Sequence, residues 1–145
     1  IGVSASKEVI REFAEINQYT SRATWSNINR GAMTMLATIH KDQSLTRQFE
    51  AEREAYYQLI RDRGAIFMEE AKACGLKALP YKAGFFLSVP ARDSVAVCQK
   101  LHEELIFAVP LKRGVRIAAC AVPAAKMKGI AAKTLKALQF VDGVK

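Results

Sequence analysis

The sequence has no long hydrophobic run. None of its apolar stretches approaches the roughly eighteen residues that a membrane span needs. Residues 1–20 also lack the charged start, apolar centre and small-residue cleavage site of a signal peptide. We therefore expect a soluble protein that has no membrane partner. Because the chain opens on Ile1 rather than methionine, we expect it to have been cut from something longer.

Cysteine and histidine are both scarce. The three cysteines, Cys74, Cys98 and Cys120, are widely spaced and lie in apolar sequence, a pattern typical of buried thiols in a reducing compartment. No C-x-x-C pair is present, and His40 and His102 lie far from any cysteine in the sequence. The sequence thus predicts a cytoplasmic protein that has neither disulfides nor a metal site.

Acidic residues are outnumbered by basic ones, 14 against 22, which gives a net charge of +8. Such an excess makes an anionic partner worth considering, either a nucleic acid or a small molecule. However, no Lys/Arg run exceeds two residues, and acids are interleaved with bases in stretches such as EAEREAYYQLIRDRG. This pattern favours solvated helix faces, so we expect no nucleic-acid partner and keep nucleic-acid binding only as an alternative.

Motifs for direct catalysis are missing as well. The sequence has no glycine-rich phosphate loop, no serine or cysteine nucleophile with a His/Asp partner by motif, and no paired carboxylates that stand out. We therefore predict no catalytic residue in this chain.

The periodicity of apolar residues predicts an α+β fold in a single working domain of 145 residues. Apolar residues recur at helical spacing in five segments: 7–17, 31–40, 44–74, 94–105 and a final helix opened by Pro123. Strand-like patterns occupy 1–4, 81–89, 106–109 and 115–122, and an irregular polar stretch covers 18–30. The expected architecture is a small, mainly antiparallel sheet covered by helices, one of them long.

Arg116 is the most informative single residue, because it lies in an apolar strand among alanines. A buried guanidinium without an anionic partner would cost several kcal/mol, so a carboxylate, a phosphate or water should face it. Spacing alone leaves two interpretations equally open. Arg116 either binds a ligand, or it lies at a strand edge and pairs with an acid from a helix.

A second candidate site is the segment RATWSNINRG, from Arg22 to Gly31. It places an arginine, the lone tryptophan, a serine and two asparagines in a predicted loop, a composition that often lines a cleft. The alternative is that Ser26 or Asn29 caps the next helix while Trp25 fills a core.

Taken together, four blocks resemble the C-terminal part of class I aminotransferases: SRATWSNINRGAMTML, the long charged helix, AGFFLSV and GVRIAACAV. Their order and spacing are similar to the aspartate and aromatic amino-acid branch of the fold-type I enzymes, over nearly the whole chain. The resemblance implies a fragment of a transaminase that uses pyridoxal phosphate, moves an amino group between an amino acid and a 2-oxo acid, and is a homodimer at full length.

The resemblance also implies roles for four residues. Arg116 matches the arginine that grips the α-carboxylate of the substrate, and Phe86 matches an aromatic residue near the substrate. Arg22, ahead of a W-S-N triplet, matches an arginine that binds the side-chain carboxylate of dicarboxylic substrates in the neighbouring subunit, and Asn27 of that triplet is a further substrate-binding candidate. The departure SNINRG, in place of S-N-P-P-x-x-G, leaves the choice of substrate open.

The pattern S-x-S-K at Lys7 looks like that of a Schiff-base lysine, but EVIREFAEINQ follows it where the family has a G-x-R-x-G turn. We therefore predict a surface lysine at a helix start, no cofactor-binding residue, and no activity for this fragment alone. Residues 1–30 are expected to be a remnant of the large cofactor-binding domain with a connecting loop, and 31–145 the small domain. The alternative is a stand-alone α+β domain that binds a carboxylate or has a regulatory role and uses no cofactor.

Overall fold

A computed structural model of the chain describes residues 2–143. These residues divide into two compact units, one that ends at Glu50 and one that begins at Ala51. The assignment of 1–30 and 31–145 to two domains of a larger enzyme stays a prediction. Within the described part of the chain, no helix has both the length and the apolar character needed to cross a membrane.

The first unit is helical. Helix α1 spans Lys7–Trp25, and its N-cap Ser6 accepts a hydrogen bond from the backbone N–H of Val9. Helix α2 spans Arg30–Lys41 and is capped by Asn29, whose side chain accepts from the N–H of Ala32. Both helices begin within one residue of the predicted segments, because short polar side chains satisfy the free N–H groups where each helix begins.

Two predictions for this unit are wrong. Residues 2–4 form no strand, and Ile1 of the predicted strand lies outside the described residues. The stretch predicted to be irregular, 18–30, is helical as far as Trp25. No glycine or proline interrupts the chain between Gly2 and Gly31, so nothing forces the helix to stop at Asn17, where its apolar pattern fades.

Helix α1 buries none of its residues. Its apolar side chains Val9, Ile10, Phe13 and Ile16 are all about half exposed. Helix α1 therefore presents an exposed apolar surface.

Helix α3 spans Gln43–Cys74 and crosses from the first unit into the second. It is about 48 Å long at 1.5 Å per residue. Asp42 accepts hydrogen bonds from the backbone N–H groups of Ser44 and Leu45 where the helix begins. Gly64 does not break the helix, and Gly75 follows its last residue with a φ of +80°, a conformation that favours glycine.

The sheet lies in the second unit and has three antiparallel strands: β1 (Phe86–Pro90), β2 (Val109–Leu111) and β3 (Gly114–Ala118). Strand β3 lies in the centre, with β1 on one side and β2 on the other. This confirms the α+β class. All three strands are shorter than predicted or displaced, since Gly84 with a φ of +114° precedes β1 and a 3₁₀ turn over Ala119–Ala121 follows β3.

Three helices follow in the second unit: α4 (Ser94–Glu103), α5 (Ala124–Met127) and α6 (Ile130–Asp142). The prediction of a single final helix is wrong, because Gly129 adopts a φ of +88° between α5 and α6. The Glu70 carboxylate of α3 accepts hydrogen bonds from the backbone N–H groups of Gly129 and Ala131, so a distant side chain caps the new helix start.

The core of the second unit lies between one face of the sheet and the helices. Fully buried side chains come from α3, the strands, α4 and the C-terminal helices; the largest are Phe67, Leu87, Val89, Val97, Leu101, Val115 and Met127. Among the cysteines, Cys98 is buried, Cys74 is half-buried and Cys120 is exposed. The prediction of three buried thiols is therefore wrong for Cys120, which follows β3 in the 3₁₀ turn.

Candidate functional site

Arg116 lies in the middle of the central strand, opposite Ser88 of β1 and Val109 of β2. Its strand neighbours Val115 and Ile117 are buried in the core. Because side chains alternate along a strand, Arg116 projects from the other face of the sheet. Its side chain is half-buried, and the Nε atom is fully buried without a hydrogen-bond partner.

No acidic side chain neutralises Arg116 within residues 2–143, where the ion pairs are Arg11–Glu15, Lys100–Glu103 and Lys133–Glu104. Arg116 is not on an edge strand either. The interpretation that it pairs with an acid of a helix at a strand edge is thus wrong on both counts. A guanidinium with a buried, unpaired N–H is suited to an anion that approaches from outside this unit.

The Phe86 ring holds the Arg116 side chain in place. The guanidinium carbon of Arg116 lies 4.3 Å from the centroid of that ring, a cation–π contact that is worth about 0.5–1 kcal/mol at an exposed site. Phe86 opens β1 opposite Ala118, is 46% exposed, and meets the edge of the Phe85 ring at a centroid distance of 6.4 Å. The structure therefore brings together two of the residues that the sequence singled out.

Arg63 on α3 is a residue that sequence reasoning missed. Its Nη1 atom donates a hydrogen bond of 3.0 Å to the carbonyl oxygen of Cys120, while its buried Nε has no partner. The backbone N–H of Cys120 in turn donates to the carbonyl oxygen of Phe85 at 3.4 Å. These bonds tie α3 to the turn after β3 and to the residue before Phe86, so they support both strands that carry the Arg116–Phe86 pair.

Tyr81 supports the same end of β1. Its hydroxyl donates a 2.7 Å hydrogen bond to the carbonyl oxygen of Gly84, and its ring packs directly on Gly64 of α3. Burial raises the pKa of the Tyr81 hydroxyl above its usual 10.0, and the neighbouring Tyr57 raises it further. The ring can reach the helix backbone only because residue 64 has no side chain.

Arg22 and Asn27 lie together in the first unit. The Nη1 atom of Arg22 donates to the carbonyl oxygen of Ser26 at 3.2 Å and to its Oγ at 2.9 Å. Ser26 has a φ of +63°, and the N–H of Asn27 donates to the carbonyl oxygen of Trp25 at 2.7 Å. Residues 18–19, 21–22 and 26–28 line a cleft of about 420 Å³ here.

The alternative interpretation of this segment is partly correct. Asn29 caps α2 as that interpretation allowed, but Ser26 does not, and Trp25 is 71% exposed rather than packed in a core. Trp25 is therefore a surface residue, and it directly precedes Ser26, which lines the cleft together with Arg22 and Asn27.

Lys7 is exposed at the first position of α1. Among the residues that the structure describes, no group of three or more His, Cys, Asp and Glu side chains is placed to hold a metal ion. The candidate residues thus form two pairs, Arg116 with Phe86 in the second unit and Arg22 with Asn27 in the first.

The chain is similar in structure to an aminotransferase from Anaerococcus prevotii that has been solved by crystallography. The TM-score is 0.86 and the sequence identity is 28% over 94% of this chain. The match covers only 33% of that enzyme, so the chain spans about a third of the length of the protein it resembles. No protein-family model and no curated protein sequence matches it. This likeness is the one expected for a fragment of an aminotransferase.

Proposed function

We propose that the chain is the substrate-carboxylate-binding part of a pyridoxal-phosphate-dependent transaminase of the class I, fold-type I group. The observation that carries the proposal is the Arg116 guanidinium, which projects from the central strand, stacks on Phe86 and has a buried N–H without a partner. The structural likeness to an aminotransferase supports it. The aspartate and aromatic amino-acid branch rests on the sequence blocks alone.

The chemistry of transamination suits such an arginine. An amino acid and the 2-oxo acid formed from it share the same α-carboxylate, so one planar guanidinium can bind both by parallel N–H···O bonds. The Phe86 contact and the β3 backbone fix the side chain before the substrate arrives. An arginine that is already ordered loses less conformational entropy on binding, which favours orientation of the substrate at the reacting centre.

Arg22 would bind a second carboxylate, that of an acidic side chain. Only its Nη1 atom is engaged, by Ser26, which leaves Nε and Nη2 for a ligand. Asn27 lines the same cleft and would add an amide donor. Arg22 is proposed to serve the active site of a neighbouring subunit in a cytoplasmic homodimer. The exposed apolar side chains of α1 support a subunit interface, because such patches mark interaction surfaces.

The cofactor is assigned to the intact enzyme and not to residues of this chain. Lys7 is exposed at the start of α1, followed by helix rather than a phosphate-binding turn. Lys7 therefore does not fit the role of the lysine that binds pyridoxal phosphate. We expect the 145-residue chain alone to be inactive, and its own contribution is to bind and orient the substrate.

The test is steady-state kinetics of the intact enzyme. Arg116→Ala should lower kcat/KM for all amino acids by about 10- to 10²-fold, because a charged hydrogen-bonded contact is worth about 1.5–3 kcal/mol. Arg22→Ala should lower kcat/KM selectively for acidic amino acids. Arg47→Ala, which removes an exposed arginine of α3, is the charge-matched control and should change neither value.

Two results would refute the proposal. An unchanged kcat/KM in Arg116→Ala would show that Arg116 does not bind the carboxylate of the substrate. An intact protein that binds carboxylates through Arg116 but neither binds pyridoxal phosphate nor transfers amino groups would favour the alternative, a binding domain without a cofactor.

A further inference from the structure

A second cleft of the second unit lies at the end of the sheet away from Phe86. It is bounded by the end of α3 at Gly75, by Pro90 at the end of β1, by Arg113 before β3, and by α6. Phe86 and Pro90 are the two ends of β1. At about 3.3 Å per residue they are separated by roughly 13 Å. Neither Arg116 nor Phe86 lines this distal cleft, so it is distinct from the Arg116–Phe86 pair.

The floor of the distal cleft is apolar. Leu76, Pro90, Leu135 and Leu138 line it, and its volume is about 330 Å³. Leu76 and Leu138 belong to the buried core, while Leu135 is half-buried. The three leucines of the floor thus belong to the core or pack against it. A volume of this size falls within the range of small-ligand pockets.

The rim of the distal cleft is cationic. Lys77, Arg92 and Arg113 lie around it, and all three are exposed. Within the described residues, no hydrogen bond, ion pair or ring contact engages any of these three side chains. Three unpaired positive charges therefore surround one apolar depression.

Asp142 is the one acid that lines the distal cleft, and its carboxylate is already occupied. One oxygen accepts a 2.7 Å hydrogen bond from the backbone N–H of Arg92, and the other accepts a 3.1 Å bond from the N–H of Asp93. Asp142 consequently holds the start of α4 in place. It does not pair with the cations of the rim.

We propose that the distal cleft binds an amphipathic carboxylate, a small molecule that has one anionic head and an aliphatic or aromatic body. The apolar body would displace water from the leucine floor, and the head would pair with Arg92 and Arg113, whose guanidinium groups match a carboxylate in shape. Inorganic phosphate has no apolar part to contact the leucine floor, and an alcohol has no negative charge to pair with the cations of the rim. The proposal does not depend on the transaminase assignment, since it uses neither Arg116 nor Phe86 and no cofactor.

The test is a titration of the 145-residue chain with octanoate, followed by two-dimensional ¹H–¹⁵N NMR. We expect saturable binding with the largest shift changes at the amides of the distal cleft, such as Ala91 and Leu76. Acetate supplies the head without the body, and 1-octanol supplies the body without the head. Each should bind at least about tenfold more weakly than octanoate.

Charge-matched variants locate the site. The double variant Arg92→Gln/Arg113→Gln should weaken octanoate binding by about tenfold or more, because it removes two partners of the head. Lys126→Gln/Lys128→Gln removes the same charge from exposed positions near α5 and should leave the affinity within about twofold. All four side chains are exposed, so the variants should melt at the temperature of the parent chain.

Three outcomes would overturn the proposal: no saturable octanoate binding, shift changes that map outside the distal cleft, or equal weakening in both double variants. The last would show attraction to the net positive charge of the chain rather than a built site.

Discussion

Gly64→Ala tests the packing that supports the start of β1. A Cβ added at this position would lie 2.6 Å from Cζ and 2.8 Å from the hydroxyl oxygen of Tyr81, and closer still to the ring carbon Cε1. Real Cβ atoms essentially never approach a neighbour within 3.0 Å. The Tyr81 ring must therefore shift, and its hydrogen bond to the Gly84 carbonyl must lengthen or break.

The expected cost follows from three terms. Overpacking of a well-packed site costs about 1–3 kcal/mol, and loss of the tyrosine hydrogen bond costs about 1 kcal/mol more. Alanine is about 1 kcal/mol better than glycine inside a helix, which offsets part of that loss. We expect the free energy of unfolding to fall by about 1–3 kcal/mol, measured by urea denaturation and followed by the helical circular dichroism signal.

The matched control is the same substitution in a Tyr81→Ala background. With the ring removed, the three nearest atoms that a Cβ would meet are gone, so the helix-propensity term dominates. Gly64→Ala should then stabilise the chain by up to about 1 kcal/mol. The sign of the effect thus reverses between the two backgrounds. If Gly64→Ala stabilised the parent chain as much as it stabilises Tyr81→Ala, the contact between the ring and α3 would not exist as described.

Three further expectations concern the second unit. Arg63→Met should lower the free energy of unfolding, measured by urea denaturation, by about 1–2 kcal/mol, because the carbonyl of Cys120 loses its donor. Arg63→Lys should recover part of that loss. Equal free energies of unfolding in the two variants would contradict the hydrogen bond. Glu70→Met should cost about 1 kcal/mol in the same assay, since both oxygens that accept from the N–H groups of Gly129 and Ala131 are lost; an unchanged midpoint would contradict the cap. At pH 8, a thiol reagent should label exposed Cys120 at least about tenfold faster than Cys98, whose pKa burial raises above 9.0. Equal labelling rates would refute the burial of Cys98. Because burial raises the pKa of Cys98 in the folded chain, its contribution to the free energy of unfolding is present in full below pH 9.0 and is lost as the pH rises further.

Local sequence patterns predicted the helices best where a cap and a periodic apolar face coincide. Ser6 and Asp93 cap α1 and α4, which begin where the sequence predicted, and α3 begins and ends within one residue of the prediction. The predictions failed where a contact distant in the sequence decides the structure. Glu70 caps a helix start 59 residues away, and no local pattern around Gly129 carries that information.

The sequence singled out some residues of the candidate site and missed others, and their binding roles stay predictions. An arginine among alanines in a strand had to face something other than the core, and the structure places Arg116 there. The resemblance to aminotransferases, and not the spacing of residues, placed Phe86 near the same substrate as Arg116. Arg63 could not be found in either way, because it reaches Cys120 across 57 residues and looks like any charged residue on an amphipathic helix.

The central claim is that Arg116 binds the α-carboxylate of an amino acid. The most direct test compares an amino-acid substrate with the matching amine, which lacks that carboxylate, in the intact enzyme and in its Arg116→Met variant. The ratio of kcat/KM for the amino acid to that for the amine should fall by about 10- to 10²-fold in the variant, because only the carboxylate-bearing substrate loses a partner. A ratio that stays the same in both proteins would contradict it.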